Sequence, residues 1–281
     1  MQKTMKNTLA MIAFALSLSV MAQSDSIDQS VIVAVYDYSI STFDHEDKPV
    51  TDEMQVMVQV GRKVTKSMPL SAYISMEGKE KQDIVAVHKE AMMHMPTVWI
   101  GWDEGMTIAR EFILPDDFEG YEPTPEIDWT VLDDTTTISG FRCQKATAIF
   151  RGVEWHAWYT EEIPSSAGPW RLRGLPGLIV KAESKVHTFV LAELRQEENP
   201  ITMPEQKPDV QRMSYDKYMK YKNNVYGNKQ YAKKPIYYIP DLNSYITHMD
   251  VINAGGTFYP FANGHPLLLT NAHVYQPLEL E

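Results

Sequence analysis

From residue 23 onward, hydrophobic and polar positions alternate with a period of two, the spacing of β-strands. In the first run Ile32, Ala34, Tyr36, Tyr38 and Ile40 share one face, and Val31, Val33 and Val35 share the other. That strand is predicted to be covered on both sides for half its length. In the next run Met54, Val56, Val58 and Val60 point one way while Gln55 and Gln59 point the other, the pattern of an antiparallel strand with one wet face. Further strands are predicted over 97–102, 107–114, 127–132, 139–150, 154–160, 178–183 and 188–194, about nine in all, separated by turn residues.

Helical spacing is concentrated late in the chain. Ser214 is placed as the cap of a helix running to Gly227, because Tyr215, Tyr218 and Tyr221 with Met219 form a 3.6-period stripe. A second short helix is predicted over 81–93. Pro200, Pro204 and Pro208 exclude long regular structure between 199 and 210. The pattern predicts a mainly antiparallel β fold: a strongly curved sheet or incomplete barrel with one or two packed helices. A closed barrel and a sandwich have the same strand count and stay open as alternatives.

The first residues read differently. Lys3 and Lys6 precede an uncharged stretch from Leu9 to Val20, too short to span a bilayer, and Val20-Met21-Ala22 places small residues at the third and first positions before a cut. Residues 1–22 are therefore predicted to be a cleavable signal peptide and 23–281 a single β-rich domain, periplasmic or secreted, with no transmembrane segment after cleavage. A balance of 37 acidic against 26 basic residues, a formal charge of −11, argues against nucleic acid as a partner. Cys143 is the only cysteine, so no disulfide can form within the chain. It stands in a strand-like run where a free thiol behaves as a small buried hydrophobe.

Residues 140–183 are dense in groups with special backbone or packing demands. Gly140-Phe141-Arg142-Cys143-Gln144-Lys145-Ala146 is followed by Ala157-Trp158-Tyr159-Thr160, then Ile163-Pro164, Gly168-Pro169-Trp170 and Gly174-Leu175-Pro176-Gly177-Leu178-Ile179. Leu175-Pro176-Gly177-Leu178 has the residues of a type II turn, with Gly177 expected at positive φ. In these motifs and their order, and in its acidic Leu278-Glu279-Leu280-Glu281 segment, the chain resembles the GLPGLI family, secreted Gram-negative envelope proteins of undetermined function. The resemblance implies export to the envelope and carries over no catalytic residue. In export, strand content and size, the chain also resembles lipoprotein-carrier folds of the envelope, without a shared motif.

No nucleophile elbow, phosphate-binding glycine loop, paired-cysteine motif or His-Glu-x-x-His stands in the sequence. The acidic pairs Asp116-Asp117, Asp133-Asp134, Glu161-Glu162 and Glu197-Glu198 sit in turn-like surroundings and would point to opposite faces of a strand. Met92-Met93-His94-Met95, with His88 nearby, is a soft set suited to Cu(I), but it does not repeat and is read as core packing. No metal and no cofactor are expected. What remains is binding without catalysis, of an apolar ligand or an envelope protein partner. The candidate rim is Trp155, Trp158, Tyr159, Pro164, Pro169, Trp170, Leu175 and Pro176; closure of the core by the same residues is the competing account. An accessory subunit of an outer-membrane uptake system and, further off, a hydrolase are the alternatives.

Overall fold

The computed structural model describes residues 26–44, 46–77, 93–103, 105–113, 116–203, 208–227, 236–239, 244–247, 267–269 and 275–280. The segment read as a signal peptide, His88, Met92 and nearly all of the helix expected over 81–93 lie outside the described residues.

Six strands leave the centre of the main sheet as a meander: β1 (Ser26–Phe43), β2 (Pro49–Gly61), β3 (Thr65–Pro69), β4 (Thr97–Trp102), β5 (Met106–Ile113) and β6 (Asp116–Pro123). The chain then crosses to the opposite edge and returns as β7 (Thr130–Ile138), β8 (Phe141–Phe150), β9 (Val153–Thr160), β10 (Leu178–Glu183) and β11 (His187–Arg195), which pairs with β1 from the other side. Each of these neighbours is antiparallel. Short β12 (Pro200–Thr202) joins the start of β1, and β13 (Gln211–Ser214) adds to β6 in parallel. The result is one curved 13-stranded sheet, edged by β7 and β13 among the described residues, that does not close into a barrel. Strands Ile236–Ile239, Ser244–Thr247 and Leu267–Leu269 form a separate three-stranded sheet.

Helix α1 (Leu70–Glu77) follows β3, and α2 (Tyr215–Tyr226) follows β13. The two-sided cover expected for β1 is present. Ala34, Tyr36, Tyr38 and Ile40 enter the main core, whereas Val33 and Val35 join Met57 and Met68 on the other face, beneath Leu70 and Tyr73 of α1. The inner side of β2 also matches, but Gln59, expected in water, is buried, and its Nε2 makes no hydrogen bond among the described residues.

Several elements lie elsewhere than the pattern predicts. β6 reads as an acidic turn because its inward positions are Phe118, Gly120 and Glu122 and only the first is a hydrophobe. Gly120 is required there: a Cβ would stand 2.8 Å from the Tyr218 ring of α2. β7 is shifted toward 138 and is mostly exposed, so no hydrophobic alternation marks its second half. Ser214 precedes α2 without a side-chain capping bond, and Gly227 closes the helix in right-handed geometry at φ −72°. Among the described residues no helix is long and apolar enough to cross a membrane.

The concave face is filled by the chain itself. The β9–β10 connection, residues 161–177, enters it with Ile163, Ala167, Trp170, Leu172 and Leu175, and α2 adds Tyr215, Tyr218, Met219 and Tyr226.

Candidate functional site

The signature residues act first as this internal plug. Trp170 has left-handed φ, +54°, unusual for a bulky residue, and its amide donates to Ser67 Oγ of β3 at 3.0 Å. The turn puts its indole beside Trp155, with ring centroids 5.9 Å apart, and sends Arg171 inward. The plug is pinned by Leu178 N donating to Ile163 O and Ile179 N to Ala167 O, both at 3.1 Å. Trp129 Nε1 donates to Arg173 O at 2.8 Å, and Tyr36 OH donates to Ile179 O at 2.7 Å.

The expected positive φ at Gly177 is not found; Gly174 carries it instead, at +99°. The reason for glycine at 177 is close approach, because a Cβ there would lie 2.0 Å from the Thr160 carbonyl oxygen. Of the candidate rim residues, Trp155, Tyr159, Pro169, Trp170 and Leu175 are buried. Trp158 is half-buried, on the side of β9 opposite Trp155, with the Lys145 ammonium 5.7 Å from its ring centroid. Pro164 and Pro176 are exposed. These residues do not converge on one surface.

The plug also organises a buried ionic cluster that the sequence did not single out. Arg171 Nη1 donates to Glu279 Oε1 at 2.5 Å, and Nη2 donates to Glu122 Oε1. Arg151 donates to Glu122 Oε2 and, at 3.3 Å, to exposed Asp216. Tyr215 OH donates to Glu279 Oε1 at 2.7 Å, while the Arg171 guanidinium lies 4.0 Å over the Tyr215 ring. Burial works against the Arg171 charge, but Tyr215, Glu279 and Glu122 around it hold its pKa above the ordinary value. Burial raises the Glu122 carboxyl despite Arg171 and Arg151, and raises the Tyr215 phenol well above its usual value. The one cue in the sequence was the acidic Leu278-Glu279-Leu280-Glu281 segment.

A second cluster sits under α2. Lys222 Nζ lies 2.6 Å from Glu111 Oε2 and donates to the His94 carbonyl at 2.8 Å, while Tyr218 OH donates to the same Glu111 oxygen at 2.8 Å. Burial would raise the Glu111 carboxyl, but Lys222 and His94 together hold it below the ordinary carboxylate value. Met93, His94 and Met95 are all buried, and the His94 ring stacks on Tyr226 at 3.6 Å. Among the described residues no group of three or more His, Cys, Asp or Glu could hold a metal ion. Cys143 is buried, donates to the Phe141 carbonyl at 3.4 Å and has its thiol pKa raised by burial, so it lacks the lowered pKa of a reactive thiol.

Where the plug reaches solvent it walls a cavity of about 250 Å³. One side is Ser165, Ser166, Ala167 and Gly168 with Leu172 and Arg173; the other is the β2–β3 turn and the end of β4, bringing Arg62, Lys63 and Gly101. Gly101 has φ +81°, and a Cβ there would stand 2.4 Å from the Lys63 carbonyl oxygen, so the two turns meet only because this position is glycine. Among the described residues three cations and no carboxylate line the cavity, in a chain of formal charge −11.

Two solved structures of PNGF-II, in the P21 and C2 space groups, are similar to the chain at TM-scores of 0.45 and 0.43, each with 12% identity. The alignments cover 69% and 68% of this chain and 32% of each of those, so the chain spans about a third of their length. No curated protein matches it in sequence. A family model described as a protein of unknown function (Porph_ging) matches residues 149–181, from the end of β8 through the plug and into β10.

Proposed function

We propose that the chain is an exported, non-enzymatic binding protein of the bacterial envelope, of the GLPGLI kind, which captures a protein partner through an anionic group seated between the β2–β3 turn and the plug. The observation that carries this reading is the cavity itself: Arg62, Lys63 and Arg173 line it and, among the described residues, no carboxylate does, Asp28 and Glu198 lining the neighbouring opening that Arg62 shares. Its volume of about 250 Å³ suits one charged side chain or terminus rather than a whole apolar ligand. The concave face that an apolar ligand would need is taken by the plug and α2. Positive groups in an otherwise acidic protein steer an acidic partner to one place and reject it elsewhere.

The test is a photo-crosslinking amino acid at exposed Ser166 in the full chain, expressed in its native envelope. A discrete protein adduct is expected, kept in Arg173→Lys and lost in Arg173→Glu. Absence of any adduct, or one indifferent to the reversed charge, overturns the reading.

A further inference from the structure

Among the described residues four arginines are buried or half-buried. Arg110 holds Glu119, and Arg151 and Arg171 both hold Glu122. Arg173 is the exception. It lines the cavity between the plug and the β2–β3 turn, and among the described residues its guanidinium forms neither an ion pair nor a hydrogen bond. Its root is fixed all the same: Trp129 Nε1 donates to the Arg173 carbonyl at 2.8 Å, and the next amide, Gly174 N, donates to the Ser166 carbonyl at 2.9 Å. A cation held this way meets a ligand with part of the ordering cost already met.

The opposite wall is set by Asp28, which lines the neighbouring opening. Its Oδ2 accepts from the Lys63 and Val64 amides at 2.7 and 2.9 Å and its Oδ1 from the Gln29 amide at 2.9 Å, so this carboxylate shapes the turn that carries Arg62 and Lys63. Two hydroxyls complete the lining. Ser165 Oγ accepts from the Ala167 amide at 3.3 Å, which leaves its proton to donate, and Thr65 makes no side-chain hydrogen bond among the described residues.

A carboxylate has two oxygens and one charge to set against three cations and two hydroxyls. A phosphate monoester presents three acceptor oxygens and close to two charges at neutral pH, and a guanidinium grips it with two parallel bonds. The donors at the cavity therefore match a phosphoryl group more fully than a carboxylate. The volume of about 250 Å³ leaves room for that group and a small carrier.

We infer that the cavity is a phosphate-monoester site, and that a small phosphate monoester from solution competes there with the anionic group of the protein partner. The competition rests on the reading of this cavity as the capture site; the binding of phosphate rests on the lining alone.

The test titrates the full chain with inorganic phosphate by calorimetry at constant ionic strength. Phosphate should bind about tenfold or more tighter than acetate, and sulfate, also a tetrahedral dianion, should displace it. Arg173→Lys keeps the charge but loses the planar fork, and should weaken phosphate about tenfold; Arg173→Glu should abolish binding. Should Arg173→Glu not fold, Arg62→Glu on the exposed turn takes its place and should weaken binding about tenfold. The crosslinked adduct at Ser166 should fade as phosphate is added. No phosphate binding, equal affinity for acetate, or binding unchanged in a folded charge-reversed chain overturns the proposal. An adduct that persists in saturating phosphate overturns the competition while capture stands, whereas phosphate binding without any adduct upholds the site and removes the capture reading.

Discussion

Arg171 Nη1 and Glu279 Oε1 stand 2.5 Å apart, both side chains essentially out of solvent, across 108 residues of sequence. The pair ties the plug to the extended segment at residues 275–280. Taking Glu279 away leaves Arg171 buried with Glu122 as its remaining carboxylate partner, so the loss is at most that of a broken buried pair, about 3–5 kcal/mol. Glu279→Ala should show that loss in urea denaturation. The combined Arg171→Met, Glu279→Leu chain should lose clearly less than the two single changes added together. Additive effects would mean that the two groups act independently.

Trp170 closes the core beside Trp155 and Phe150 and is 1% exposed. Trp170→Ala should therefore cost about 3–5 kcal/mol of stability. A melting temperature near that of the wild type, with partner capture lost, would instead make this side chain part of a binding rim.

Gly177 and Gly174 should respond to alanine for different reasons. At Gly177 the new Cβ would press on the Thr160 carbonyl at 2.0 Å, and both sides of that contact are backbone that cannot swing away. Overpacking of this kind costs about 1–3 kcal/mol or more. At Gly174 nothing lies nearer than 3.9 Å, so only the positive φ opposes a side chain, at about 1–2 kcal/mol. Denaturation midpoints of Gly177→Ala and Gly174→Ala in that order support the assignment; the reverse order refutes it.

Lys66 is buried under β12, with Nζ 3.4 Å from Thr202 Oγ1 and 5.2 Å from the Trp99 ring centroid. Burial pushes its pKa from the ordinary 10.5 down to about 8. Between pH 8 and 10.5 the unfolded chain then holds a proton at this site that the folded chain has released, so stability contributed by Lys66 rises with pH across that window. At pH 7 the charged form is buried at a penalty of up to about 3 kcal/mol. Lys66→Met should be more stable than wild type at pH 7, with the advantage shrinking toward pH 10.5, as read from urea midpoints over that range. A constant difference across the window would mean the lysine keeps its ordinary pKa in the folded chain.

The strand content was legible where a half-buried strand alternates, as β9 and β11 do, while β4 and β10 are short runs of consecutive buried residues. Even the second covered face of β1 was readable, since Val33 and Val35 interrupt its polar side and need α1 above them. The tyrosine stripe of α2 was readable for the same reason, at the helical period. β6 and β7 were obscured because a strand whose inner positions meet an ionic cluster, or whose faces are mostly exposed, has no hydrophobic period to show.

The sequence by itself determined an antiparallel β protein with a dense aromatic, proline and glycine segment in its middle. Only the tertiary structure decided what that segment does, because burial depends on the curvature of the whole sheet around it. Trp155 and Trp170 look alike as rim or core until thirteen strands bend to enclose them. Arg171 is one more arginine until Glu122, Tyr215 and Glu279 arrive from three distant elements to neutralise it. The cavity cations follow the same rule: Arg62 and Arg173 belong to different meanders, and only the antiparallel return of β7 to β11 beside β1 brings them to one opening.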